Sequence, residues 1–123
     1  MSTQTASRLS LRTESLTSLH WLGVALAVVT GILHVVLGIR FIGQPLGWSF
    51  IVAGLGFFTG AVAVLVDYRR QTMYLLGILW TAGQVVLYFV VNWPDVVSPI
   101  GIGDKVVQVV LIGVLAVLYS RES

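Results

Sequence analysis

Residues 21–39 read WLGVALAVVTGILHVVLGI, nineteen positions without a formal charge when His34 is counted as neutral. A helix rises about 1.5 Å per residue, so a run of about 20 apolar residues crosses a hydrocarbon layer of about 30 Å. Two further runs meet the same test, 46–66 with 21 residues and 72–91 with 20. A fourth, 106–119, has only 14. Ser98-Pro99 upstream lengthens it, because Ser caps a helix and Pro suits its first turn. The extended helix then carries Asp104 and Lys105 in its second turn. A Lys side chain can snorkel to the interface, whereas the shorter Asp needs a partner or water. The sequence therefore predicts an all-α integral membrane protein, a four-helix transmembrane bundle. Its domain spans 19–121, with helices at about 19–40, 46–66, 72–92 and 99–120, behind a polar tail over 1–18.

Composition agrees with that reading. Hydrophobic residues make up 57% of the 123 and charged residues 10%, and mean hydropathy is +0.95. A soluble domain carries about a quarter charged residues, so these few could not cover a water-facing surface. The pI near 9.4 reflects seven Lys and Arg against five Asp and Glu, which makes no basic patch for nucleic acid. The chain has no cysteine, which excludes disulfides, thiolate metal sites and Cys nucleophiles. A signal peptide is the competing reading of the first span. The run is longer than a signal h-region of about 7–15 residues, and no A-x-A-like site follows it. Leu9, Leu11, Leu16 and Leu19 would let part of the tail lie along the membrane interface.

Loop charges predict orientation. Arg8, Arg12, Arg69, Arg70 and Arg121 fall on one side, Arg40 and Lys105 on the other. Both termini are thus expected in the cytoplasm of a multi-pass cell-membrane protein. Arg40 reads as an interfacial anchor. Asp67-Tyr68-Arg69-Arg70 reads as a hairpin and topology determinant, able also to meet anionic headgroups. Trp21, Trp48 and Trp93 sit near span ends, as an aromatic belt would; Trp80 is mid-span.

Small and polar residues form stripes. The first span has Gly23, Ala27, Thr30, His34 and Gly38; the second Ser49, Ala53, Gly56, Gly60 and Ala63; the third Gly77, Thr81, Gln84, Tyr88 and Asn92. Spacings of three and four average 3.5, the period of left-handed helix packing. Small residues let backbones approach in lipid, so Gly56, Gly60, Gly77 and Gly113 are predicted packing positions. The fourth span has two stripes, one with Asp104 and Gln108, the other with Gly113, Ala116 and Ser120. Two non-lipid faces would suit an oligomer.

His34, Gln84 and Gln108 lie roughly 9–13 Å below the outer ends of their helices. With Tyr88 and Asp104 they form a predicted intramembrane polar cluster. One reading is glue, since buried Gln and His pair across helices at about 0.6 kcal/mol on average. The other is a functional cavity, with His34 handling protons or a headgroup. No cofactor and no metal are expected. Haem on His20 and His34 is the alternative; it requires a homodimer with facing first helices, because no other span carries a His. Neither H-E-x-x-H nor G-x-S-x-G occurs, and no catalytic constellation is expected.

The chain lacks the first-helix membrane Glu of small multidrug transporters, since Glu14 precedes the apolar run, and the Phe- and Thr-rich signature of fluoride channels. Leu19-His20-Trp21-Leu22-Gly23, Val66-Asp67-Tyr68-Arg69-Arg70, Thr81-Ala82-Gly83-Gln84 and Gly103-Asp104-Lys105-Val106-Val107-Gln108 resemble uncharacterised four-helix membrane proteins of halophilic archaea, nearly end to end. That resemblance implies a source and no mechanism. The expected function is a small membrane protein without enzymatic activity. It would be a subunit or accessory of a larger membrane assembly, or a homo-oligomer. Its partners would be the bilayer and other membrane subunits or itself, with no nucleic acid. A small transporter or channel using the polar cluster is the alternative, and a haem or quinone carrier the third.

Overall fold

The computed structural model describes residues 16–122. Most of the polar tail expected over 1–18, including Arg8, Arg12, Leu9 and Leu11, lies outside the described residues. Among these, the chain forms α1 (Ser18–Arg40), α2 (Pro45–Leu65), α3 (Arg70–Asn92) and α4 (Pro99–Glu122). All four are long and apolar enough to cross a membrane, so this is a small multi-pass membrane protein. Short connections make sequential neighbours antiparallel. Contacts run α1–α2, α2–α3, α3–α4 and α4–α1, closing a ring. Ser18 and Glu122 thus share one end of the bundle with the 66–69 hairpin.

Local chemistry explains the helix ends. Thr17 N–H donates to His20 Nδ1 at 3.1 Å, so His takes the place usually held by Glu or Gln in a capping box. Pro45 occupies the first turn of α2 after an extended Gln44, where its missing N–H costs nothing. The 66–69 hairpin holds Asp67 and Arg69 at φ 57° and 46°, in the left-handed region. Arg70 Nε donates to Val64 O at 2.8 Å and faces Asp67 Oδ1 at 3.5 Å. A cation on the last carbonyls of α2 complements the helix dipole.

The tightest contact is between α1 and α2, and glycines make it. A Cβ on Gly54 would stand 2.8 Å from Gly31 O, and one on Gly38 2.7 Å from Gly47 O. Gly31 opposite Gly54 and Gly38 opposite Gly47 are matched pairs, seven residues apart on each helix. This corrects the predicted α2 stripe, which contained Gly56 and Gly60 but omitted Gly54. Gly56 instead carries the Trp80 ring of α3, which a Cβ would meet at 2.5 Å. At Gly60 and Gly113 a Cβ would meet nothing within 4 Å, so neither packs a helix within this chain. Gly77 does face a neighbour, Leu115 of α4, at 3.0 Å. The physical reason is that α1 and α2 each carry glycines on more than one face. Spacing along a helix cannot say which face meets which neighbour.

At the hairpin end Val64, Tyr74, Val114 and Leu118 form a buried apolar cluster. Leu16 and Leu19, expected along the interface, pack against it. Thr30, His34, Asp104, Lys105 and Gln108, also buried, gather toward the opposite end.

Candidate functional site

Three helices bring six polar or charged side chains together toward the end of the bundle that carries the 41–44 and 93–98 loops. α1 supplies Thr30 and His34, α4 supplies Asp104, Lys105 and Gln108, and α3 supplies Tyr88. Thr30, His34, Asp104, Lys105 and Gln108 are all buried. Thr30 and His34 are one turn apart, as are Asp104 and Gln108, so each pair shares a helix face.

Thr30 Oγ1 is the hub. It donates to Asp104 Oδ1 at 2.7 Å and accepts from Gln108 Nε2 at 3.2 Å. Asp104 Oδ2 takes Lys105 Nζ at 3.2 Å. The same ammonium donates to Gln108 Oε1 and stands 5.0 Å from the centroid of the Tyr88 ring, a cation–π distance. The Tyr88 hydroxyl donates to Val96 O in the α3–α4 connection. Gly101 makes room for it, because a Cβ there would strike the hydroxyl. The network thus binds α1, α3 and α4 into one unit, with its charge pair neutralised inside the chain.

His34 borders this network without joining the ion pair. Its Nδ1–H donates to Thr30 O at 2.8 Å, since a carbonyl oxygen can only accept. Thr30 Oγ1 lies 3.4 Å from the same nitrogen. The ring packs edge-on to Phe50 at 5.9 Å and tilted on Phe57 at 5.4 Å between centroids. Both aromatics belong to α2, so His34 is held inside its own bundle. Haem shared between facing first helices does not fit that placement. His20, the other expected ligand, is spent on the α1 cap. Among the described residues no three His, Asp or Glu side chains gather as metal ligands would.

Of the predicted cluster, His34, Tyr88, Asp104 and Gln108 are brought together. Gln84 is not; it is half-buried on α3 and makes no hydrogen bond to the network. The polar atoms of Gln108, placed at a similar depth, are taken by Thr30 and Lys105. Lys105 and Thr30 were missed. Lys105 was expected to snorkel outward, yet it is buried because Asp104, its chain neighbour, needs a counter-charge more than the ammonium needs water. Thr30 had a visible signal, its position one turn before His34.

Arg40 is exposed in the last turn of α1. Arg69 is exposed, its guanidinium carbon 5.6 Å from the centroid of Tyr68. Arg70, in contrast, is buried and works as the α2 cap.

One family model covers residues 5–119, that of a family of unknown function, DUF7475. The chain belongs to DUF7475. No curated protein and no solved structure matches it. For this DUF7475 member, then, the functional argument rests on its own helices and polar network.

Proposed function

We propose that this protein is a non-enzymatic membrane subunit or scaffold that assembles through α4, either with itself or with other membrane proteins. The two-sidedness of α4 carries the reading. Its inner face, Asp104, Gln108, Leu111 and Leu118, is buried in the bundle. On the opposite face Gly113, Ala116 and Ser120 are exposed, and space around Gly113 is open. Small residues on a lipid-facing helix permit close approach by another helix. The polar network supports the same reading. Thr30, Asp104, Lys105 and Gln108 spend their hydrogen bonds on one another, as a clamp setting the α1–α4 geometry would. Left-handed packing and cytoplasmic termini belong to this proposal, the latter resting on the loop arginines. A halophilic archaeal source and residence in the cell membrane rest on the resemblance and the four spans.

The test is mass in a mild detergent combined with cross-linking. With an added oxidant, Gly113→Cys should give a disulfide-linked dimer in native membranes where the partner is a second copy, and a thiol–amine cross-linker should link it to the partner where that is another protein; Gly113→Leu should shift the complex toward the monomer. A monomer for wild type, with no cross-link from Gly113→Cys to any protein, refutes the reading.

A second reading, a proton-handling transporter, draws on one observation. His34, which titrates near neutral pH in its ordinary state, borders the Asp104–Lys105 pair. Under that reading His34→Gln folds normally yet fails to complement a deletion strain. Under the scaffold reading it complements in proportion to the folded protein present.

A further inference from the structure

A cleft of about 360 Å³ opens between α2 and α3 and reaches inward to α1 and α4. Its rim is Thr59 and Gly60 on α2 and Leu76 and Trp80 on α3, all lining residues that are exposed or half-exposed. Its inner wall includes Gly23, Phe57, Tyr74 and Leu111, all buried. Gly60 leaves this space open, while the Trp80 ring fills the space beside Gly56.

Trp80 builds the cleft. Its indole N–H donates to Ala53 O at 3.1 Å, and its ring lies on the backbone at Gly56. The ring bridges α2 and α3 at one level and holds them apart below it, toward the hairpin. The rim lies roughly 7–15 Å inside the hairpin ends of its helices, so the opening faces hydrocarbon. The lining asks for no water. Thr59 Oγ1 donates to Leu55 O at 2.8 Å and Thr81 Oγ1 to Gly77 O at 2.6 Å, leaving Trp80 N–H and both hydroxyls bonded within the protein.

We infer that this cleft is a binding site for one acyl chain of a membrane lipid, entering sideways between α2 and α3 from the leaflet on the hairpin side. An apolar cavity of roughly 150 Å³ is enough to hold a benzene ring, and this one is more than twice that size. A helix is about 10–12 Å across, too thick for a slot closed at one end by Trp80. A hydrocarbon tail is thin enough, and the surrounding bilayer supplies it. The reading is independent of whether the outer face of α4 binds a partner, since the cleft opens between α2 and α3 and meets only the inner face of α4.

Native mass spectrometry from a mild detergent tests it. Wild type should retain one phospholipid per chain. Gly60→Phe projects a ring into open space and should cut the retained fraction at least tenfold, while Gly103→Phe, equally open but outside the cleft lining, should leave it unchanged. Gly60→Leu serves where Gly60→Phe does not accumulate. Wild type without bound lipid, or equal retention by the Gly60 variants, overturns the inference. So does a Thr59→Cys cross-link to a second copy, which would mean that protein fills the cleft.

Discussion

Gly54→Ala and Gly60→Ala are the same chemical change on the same helix, six residues apart, and should have opposite signs. At Gly54 the new Cβ would lie 2.7 Å from Val35 Cγ2 and 2.8 Å from Gly31 O, against 3.4 Å for ordinary contact. Val35 can turn, but a backbone carbonyl cannot, so α1 and α2 must part by about half an ångström. Overpacking of this kind costs about 1–3 kcal/mol. The gain in helix propensity, about 1 kcal/mol, offsets only part of it. At Gly60 the Cβ meets nothing within 4 Å, so the propensity gain stands alone. The two variants should therefore differ by about 1–3 kcal/mol, Gly54→Ala below wild type and Gly60→Ala at or slightly above it. Reversible unfolding in mixed micelles, titrated with a denaturing detergent and followed by far-UV circular dichroism, reads both. Equal losses at the two sites would refute the glycine pairing of α1 with α2.

The Asp104–Lys105 pair should behave non-additively. Lys105→Met alone leaves a buried carboxylate without its counter-charge, at about 3–5 kcal/mol. Asp104→Asn combined with Lys105→Met removes both charges while keeping an acceptor for Thr30, and should cost less than the single change in the same unfolding assay. At the hairpin, Arg69→Gly should leave stability unchanged or raise it by up to about 1 kcal/mol, because glycine adopts positive φ freely. Arg69→Val should lower stability by about 1–3 kcal/mol, since a β-branched residue is strained there; equal effects from Gly and Val would contradict the left-handed turn.

The polar network illustrates a cost that membrane proteins carry openly. A charge in hydrocarbon is expensive, and a lone Asp in the second turn of a spanning helix would be unstable. Lys105 supplies the opposite charge one residue later, and Thr30 reaches across from α1 to bond the other oxygen. Once formed, the arrangement also fixes the approach of α1 to α4. A feature first noticed as a liability in one helix thus acts as a joint between two.

Four spans, their approximate limits and the hairpin at 66–69 follow from the chain alone. Length, apolar content and the few charged residues decide them without reference to any neighbour. Prolines at 45 and 99 mark two helix starts for an equally local reason. Polar residues such as His34, Asp104 and Gln108 could also be singled out, because a polar group in an apolar span has to find a partner. Which partner it finds is a property of the assembled bundle. Lys105 turns inward to Asp104 and Gln108, and Gln84 stays outside because Thr30 and Gln108, on two helices, bond to each other and to that pair. The glycines make the same point: Gly54 and Gly60 look alike in sequence, yet one is pressed against a backbone carbonyl and the other borders a cleft. Helix rotation and the wedge of Trp80 between α2 and α3 set that difference, and both exist only when the four helices stand together.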